Sequence, residues 1–248
     1  MKQLLILKCI IMNKTFLITG ASSGLGEIFS KSILDIAKTI IAVGRNKNKL
    51  VKLKKEINKL KPSIDVFIIS TDLSKEEGLK KLFKEFEKQK KIKFVDVLIN
   101  SAANFTVKKI DKINLKELKN DFQINTISPF MISKYFGLKM KKKKRGTIIN
   151  IGSSSSYDCS ENTSIYCSTK HALLGMTKAF NSELKSYGVK SIFIAPGSMK
   201  TAMGRKVKNQ DFNTFIDPHE IANIMKYLLI NEKSMSIDEL KIKRSIYK

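Results

Sequence analysis

Short apolar runs alternate with longer amphipathic stretches along nearly the whole chain, and few folds accommodate that alternation. TFLITG (15–20), TIIAVG (39–44), DVFIIS (65–70), DVLINS (96–101), GTIINIGS (146–153) and VKSIFIAPG (189–197) read as buried strands. The intervals 24–37, 46–60, 75–91, 115–140, 164–187 and 218–230 carry helical spacing. Strands alternating with helices of this length form βαβ units joined by right-handed crossovers. The expected fold is therefore α/β, a doubly wound parallel sheet with helices on both faces. No repeat, Pro-rich linker or break in composition marks a second domain, and 248 residues suit one α/β domain.

Charge invites a different reading. The formal net charge is +25, which brings nucleic acid to mind. Arginine, the usual residue for bidentate base and phosphate recognition, occurs only at Arg45, Arg145, Arg205 and Arg244. The lysines are spread over nearly every expected helix instead of forming one stripe. This pattern argues against dedicated nucleic-acid binding, although it can attract anionic substrates or carriers. The dense run KMKKKKRG (139–146) falls between a helix and a strand and reads as a solvated loop. Cys9, Cys159 and Cys167 form no even framework, and with two histidines they match no metal site. A reducing, cytoplasmic setting is expected. The opening MKQLLILKCIIM is broken by Lys8 and lacks a small-residue cleavage site, so it is not read as a signal peptide. Residues 1–11 are taken as an extension before a start at Met12, followed by one domain over 12–248. No stretch is long enough to span a bilayer.

The first strand ends in TGASSGLG (19–26), and a helix follows at once. Gly20, Gly24 and Gly26 let the chain turn sharply, approach a pyrophosphate and pack helix on strand, while amides at the helix start face the anion. Gly20, Ser22, Ser23, Gly24, Leu25 and Gly26 are thus the expected cradle. The second strand ends in AVGRN (42–46). A carboxylate there would accept the ribose 2′-hydroxyl and repel a 2′-phosphate. Gly44 and Arg45 instead leave room and supply a cation, which predicts NADP(H) over NAD(H). After the third strand, Thr71, Asp72 and Leu73 stand where side chain and backbone could hold an adenine.

With these motifs the sequence resembles the short-chain dehydrogenase/reductase family, over about residues 13–230. TGASSGLG matches the family's cofactor turn, and NSAA (100–103) stands where N-N-A-G is usual. Asn125 in FQINTISPF matches its helix asparagine, and Ser153 in NIGSSS precedes Tyr166 by thirteen residues. YCSTK (166–170) matches Y-x-x-x-K, and PGSMKT (196–201) matches the P-G motif after the sixth strand. Ser101 and Ala103 depart from the usual pattern, Gly152 replaces the first serine of a usual pair, and the glycine-rich tail gives way to SIDELKIKR (236–244). The resemblance implies a Rossmann-type fold with a cofactor half over about 13–105 and a catalytic half over 106–248. It adds Asn100, Ala102, Pro196, Gly197 and Thr201 to the cofactor residues, together with Tyr166 and Lys170.

Tyr166 and Lys170 share a helix face at i and i+4. Free tyrosine titrates at about 10, and a neighbouring ammonium lowers that value, which makes proton transfer feasible near neutrality. The resemblance implies that Lys170 holds the nicotinamide ribose, Ser153 bonds the substrate oxygen and Asn125 fixes a water leading to Lys170. Tyr157 is a decoy, because its i+4 neighbour Glu161 would raise its pKa. Cys167 reads as a small packing residue that could confer sensitivity to thiol reagents. The leading function is NADP(H)-dependent interconversion of a carbonyl and an alcohol. The alternatives are a 3-oxoacyl-[acyl-carrier-protein] reductase and, from another class, a non-catalytic cofactor sensor or nucleic-acid-binding protein. Residues 198–217 read as a mobile lid that sets specificity. Helices 115–140 and 164–187 are those the family uses to form homodimers or homotetramers.

Overall fold

The computed structural model describes residues 13–207, 210–231 and 236–245. The expected extension at 1–11 lies outside them. Seven strands form one sheet: β1 (Lys14–Thr19), β2 (Ala37–Gly44), β3 (Asp65–Ser70), β4 (Val97–Asn100), β5 (Gly146–Ile151), β6 (Val189–Pro196) and β7 (Glu239–Ile242). Their order is β3-β2-β1-β4-β5-β6-β7, and every pairing is parallel. The order reverses between β1 and β4, the place where a doubly wound sheet opens a crevice beyond its strand ends.

Alternation along β1 shows why the sheet is covered on both sides. Phe16 and Ile18 belong to one core with Phe29, Leu50, Leu53 and Met225. Those residues come from α1 (Gly24–Ser32), α2 (Lys47–Leu60) and α7 (Pro218–Ile230). Leu17 belongs to the opposite core with Leu82, Phe86, Phe136 and Leu184. Those residues come from α3 (Glu76–Glu87), α5 (Ser128–Lys143) and α6 (Ser164–Leu184). Phe16, Leu17, Ile18, Phe29 and Leu50 are fully buried, each contributing roughly 1.5–3 kcal/mol of transfer free energy. A polar chain ties the two halves of the sheet. Asn100 donates from Nδ2 to Asn150 Oδ1 (2.8 Å) and Ser133 Oγ (2.9 Å), and Asn150 Nδ2 donates to Thr177 Oγ1 (3.0 Å).

Four expectations need correction. The run 139–146, read as a loop, is helical as far as Lys143. The first helix ends at Ser32, five residues early, and β2 begins at Ala37, within the interval read as helix. The interval 115–140 is two helices, α4 (Leu115–Phe122) and α5, joined by a π turn over Gln123–Ile127. Pro129 supplies the physical reason: it has no amide to offer the Asn125 carbonyl four residues back, so regular i→i−4 bonding fails there. Finally, β7 was not foreseen. Its ELKI sequence alternates charged and apolar residues over only four positions, as suits an edge strand. No helix among the described residues is long and apolar enough to cross a membrane.

Candidate active site

The turn after β1 is shaped by contact with the loop after β4. Gly20 has φ +72°, and a Cβ there would lie 2.8 Å from the Ala102 nitrogen. Thr19 Oγ1 accepts from the amides of Ser101 (3.1 Å) and Ala102 (3.2 Å), which locks the two loops together. Ser23, the residue before α1, makes no side-chain capping bond, so the first-turn N–H groups are left to an anion in the cleft that Gly24 and Leu25 line. From this turn one cleft runs outward past Gly44 and Arg45 and inward to Tyr166 and Lys170.

Ten expected residues line this cleft: Gly20, Ser22, Ser23, Gly24, Leu25, Arg45, Leu73, Ala102, Tyr166 and Lys170, with Thr201 as an eleventh. The others do not. Gly26 serves packing, since a Cβ there would lie 2.6 Å from the Gly20 carbonyl oxygen. Asp72 caps the following turn by accepting from the Ser74 amide (3.0 Å) and hydroxyl (2.8 Å). Asn100, 3% exposed, points into the polar chain beneath the strand ends. Pro196 and Gly197 line a second cavity with Ser153, Ser154, Ser155 and Phe105. Tyr166 borders both spaces. Thr71, expected beside the adenine with Leu73, lines the cleft wall, whereas Ile124, Ile151 and Met199 on that wall were not foreseen: Ile151 ends β5, Met199 follows β6, and Ile124 sits in the π turn beside Asn125.

Tyr166 and Lys170 are not helix surface: they are 7% and 2% exposed. Lys170 Nζ donates to the Ile151 carbonyl at 2.8 Å and lies 5.7 Å from the Tyr166 ring centroid. Burial holds the lysine down to about 7. Burial also pushes the Tyr166 phenol up to about 12, against a hydrogen bond with Ser153 that favours the phenolate. The expected lowering of the phenol by Lys170 does not appear in this arrangement, where burial is the largest influence on both groups. The Phe105 ring meets Tyr166 edge-on, with centroids 4.7 Å apart. Tyr157 is raised as expected, but by burial and then by the Glu239 carboxylate that accepts its hydroxyl, not by Glu161.

Asn125 is 1% exposed, and its side chain clamps a neighbouring loop. Oδ1 accepts from the Asn104 amide (2.8 Å), while Nδ2 donates to the Asn104 carbonyl (2.9 Å) and to Thr169 Oγ1 (3.1 Å). Both ends of the side-chain amide are thus engaged with protein groups.

The segment read as a lid is tied at its base. The Ile216 amide donates to the Ser198 carbonyl (2.9 Å), and the Lys200 amide donates to the Ile216 carbonyl (2.8 Å). Gly152, which departs from the usual serine, has a local cause. A Cβ there would fall 2.1 Å from Cζ of Phe193, whose ring is fully buried. Gly152→Ala is expected to cost about 1–3 kcal/mol by overpacking. Urea unfolding should recover part of that loss when Phe193→Leu is added. An equal loss in both backgrounds would show that the ring does not set the limit.

A doubly wound sheet, with a glycine turn at its switch point and serine, tyrosine and lysine meeting beyond the neighbouring strand ends, has the architecture of a Rossmann-type oxidoreductase. The family model described as short chain dehydrogenase matches residues 14–211, and the chain belongs to that family of oxidoreductases. An uncharacterized oxidoreductase of Staphylococcus aureus (strain MRSA252) is 27% identical over 234 residues, 94% of this chain and 98% of that protein. A metagenomic short-chain oxidoreductase solved in complex with NADP is 22% identical with a TM-score of 0.81, covering 95% of this chain and 99% of that one. An alcohol dehydrogenase from the archaeon Thermococcus sibiricus, complexed with 5-hydroxy-NADP, is 24% identical with a TM-score of 0.84. It covers 95% of this chain and 97% of that one.

Proposed function

We propose that the protein interconverts a carbonyl and an alcohol with NADP(H), using Tyr166 as the acid and base. The observation that carries this reading is the position of Tyr166, which lines the second cavity with Ser153 where the glycine-lined cleft meets it. The cleft fits a dinucleotide: Gly20 to Leu25 would hold the pyrophosphate, Leu73 and Thr71 the adenine side, and Lys170 the nicotinamide ribose. When bound, the nicotinamide would supply or accept the hydride.

The protein's own part is to position the substrate and move a proton. With its pKa at about 12, the Tyr166 phenol is protonated near neutrality, the state that donates to a carbonyl oxygen. That is the protonation state the reduction step requires. Ser153 would bond the same oxygen as negative charge develops on it. Lys170 and a water at Asn125 would return the proton to Tyr166. The second cavity, with its serine hydroxyls beside Phe105, Met199, Met203 and Val207, would take the substrate. Ile127, Phe130, Met131 and Leu138 are exposed around α5, and a homodimer or homotetramer in the cytoplasm would bury them.

NADP(H) over NAD(H) rests on Gly44 and Arg45, both on the cleft wall. Fluorescence titration should show tight NADPH and weak NADH binding. Arg45→Asp should weaken NADPH by about ten- to a hundredfold, the worth of one charge-assisted bond, and leave NADH nearly unchanged. Equal effects on both would remove the assignment, and binding of neither would overturn the functional reading.

A further inference from the structure

Two of the three cysteines meet on the flank of α6, outside the cleft. Cys167, in the first turn of α6, is 3% exposed, with Sγ 3.2 Å from Thr163 Oγ1 and 4.0 Å from the Asp158 carbonyl oxygen. Cys159, the residue after Asp158, is exposed and close enough to Cys167 for its thiol to feel it. Both side chains line one open cavity, together with Ser160, Ser164 and His171. The turn between them is held by local bonds. Thr163 Oγ1 donates to the Ser160 carbonyl (2.6 Å), and the Cys167 amide donates to the Thr163 carbonyl (2.8 Å). The fold thus holds both side chains at one cavity, with Cys167 Sγ against the residue that precedes Cys159, and neither takes part in the chemistry proposed for Tyr166.

One buried thiol beside one solvent-facing thiol at a shared cavity gives an attacking cysteine a resolving partner. We propose that Cys159 and Cys167 form a reversible dithiol–disulfide site that is oxidised by hydrogen peroxide. The Cys159 thiolate attacks one peroxide oxygen and the O–O bond breaks. The departing hydroxide takes up a proton as water and leaves a sulfenic acid. The Cys167 sulfur gives up its proton and attacks the sulfenic sulfur. The S–O bond breaks, and that oxygen leaves as a second water. Two thiols lose two electrons and two protons, and the peroxide is reduced to two waters. The neighbouring Cys167, together with burial and the Asp158 charge, holds the Cys159 thiol above its ordinary range, so few molecules carry the thiolate at any moment and the site responds slowly.

Closing this bond fastens the segment after Ser153, which lines the substrate-side cavity at Ser154 and Ser155, to the helix turn that carries Tyr166. The test treats the full chain, with Cys9→Ser to remove the third thiol, with hydrogen peroxide. An intact mass lower by two hydrogen atoms is expected. Cleavage after Glu161 then places the two cysteines on separate peptides that stay joined until dithiothreitol is added. Adding Cys159→Ser should abolish both signs. Three results would overturn the proposal: both thiols still open to alkylation after treatment, oxygen added to Cys159 alone, or joined peptides that come only from different chains. None of these readouts depends on the substrate or on the cofactor assignment.

Discussion

Tyr166→Phe is expected to lower turnover by roughly 10²–10⁴, the range spanned by loss of a positioned acid or base, while NADPH binds almost as before. The ring occupies a nearly closed site against Phe105, so phenylalanine fills the same space and only the hydroxyl is lost. Single-turnover reduction of an accepted carbonyl, beside a fluorescence titration with NADPH, separates the two effects. Retained turnover would dismiss Tyr166 as the acid. Lost affinity would show that the variant disturbed the cleft instead of the chemistry.

Lys170→Met should act in opposite directions on activity and stability. Turnover should fall by a comparable factor, because the ribose contact and the proton return both go. The fold should gain. The lysine titrates at about 7 in the folded chain and at 10.5 when unfolded. Between those values the unfolded chain holds the extra proton, so stability rises with pH across that window. The burden of the lysine is accordingly absent above pH 10.5, grows as pH falls and is complete below about 7. It amounts to on the order of 4 kcal/mol. Loss of the bond to the Ile151 carbonyl returns about 1 kcal/mol of it. Urea unfolding of both proteins at neutral pH and near pH 9.5 is the measurement. The methionine variant should be clearly more stable at neutral pH, with the advantage fading as pH rises. A constant difference at both pH values would mean that packing, not desolvation, separates them.

The layout of the sheet was legible because its strands announce themselves twice, as short apolar runs and through the glycines or asparagines that end them. Four features were not legible, each for a particular reason. The helical period runs unbroken across 115–140, and only the missing amide of Pro129 reveals the π turn. ELKI is too short and too charged to read as a strand before its partner β6 is in place. Asn100 was counted with the cleft because its neighbours line it, yet its side chain points beneath the strand ends toward Asn150. Gly152 looked like an arbitrary departure because the ring that explains it, Phe193, is 41 residues away in sequence. The pair at Tyr166 and Lys170 could be read from spacing, but its electrostatics could not. Spacing puts the two groups together without saying how much water is left around them.

The meeting of Gly44 with Ser22 bears on what position 44 can carry. A Cβ at position 44 would lie 2.8 Å from Ser22 Oγ and 3.1 Å from its Cβ. A side chain can therefore enter there only if the Ser22 hydroxyl turns away and its Cβ yields by a few tenths of an ångström. Ser22→Gly removes both contacts, so the two positions are coupled: a carboxylate at 44 should be accepted more readily beside glycine at 22 than beside serine.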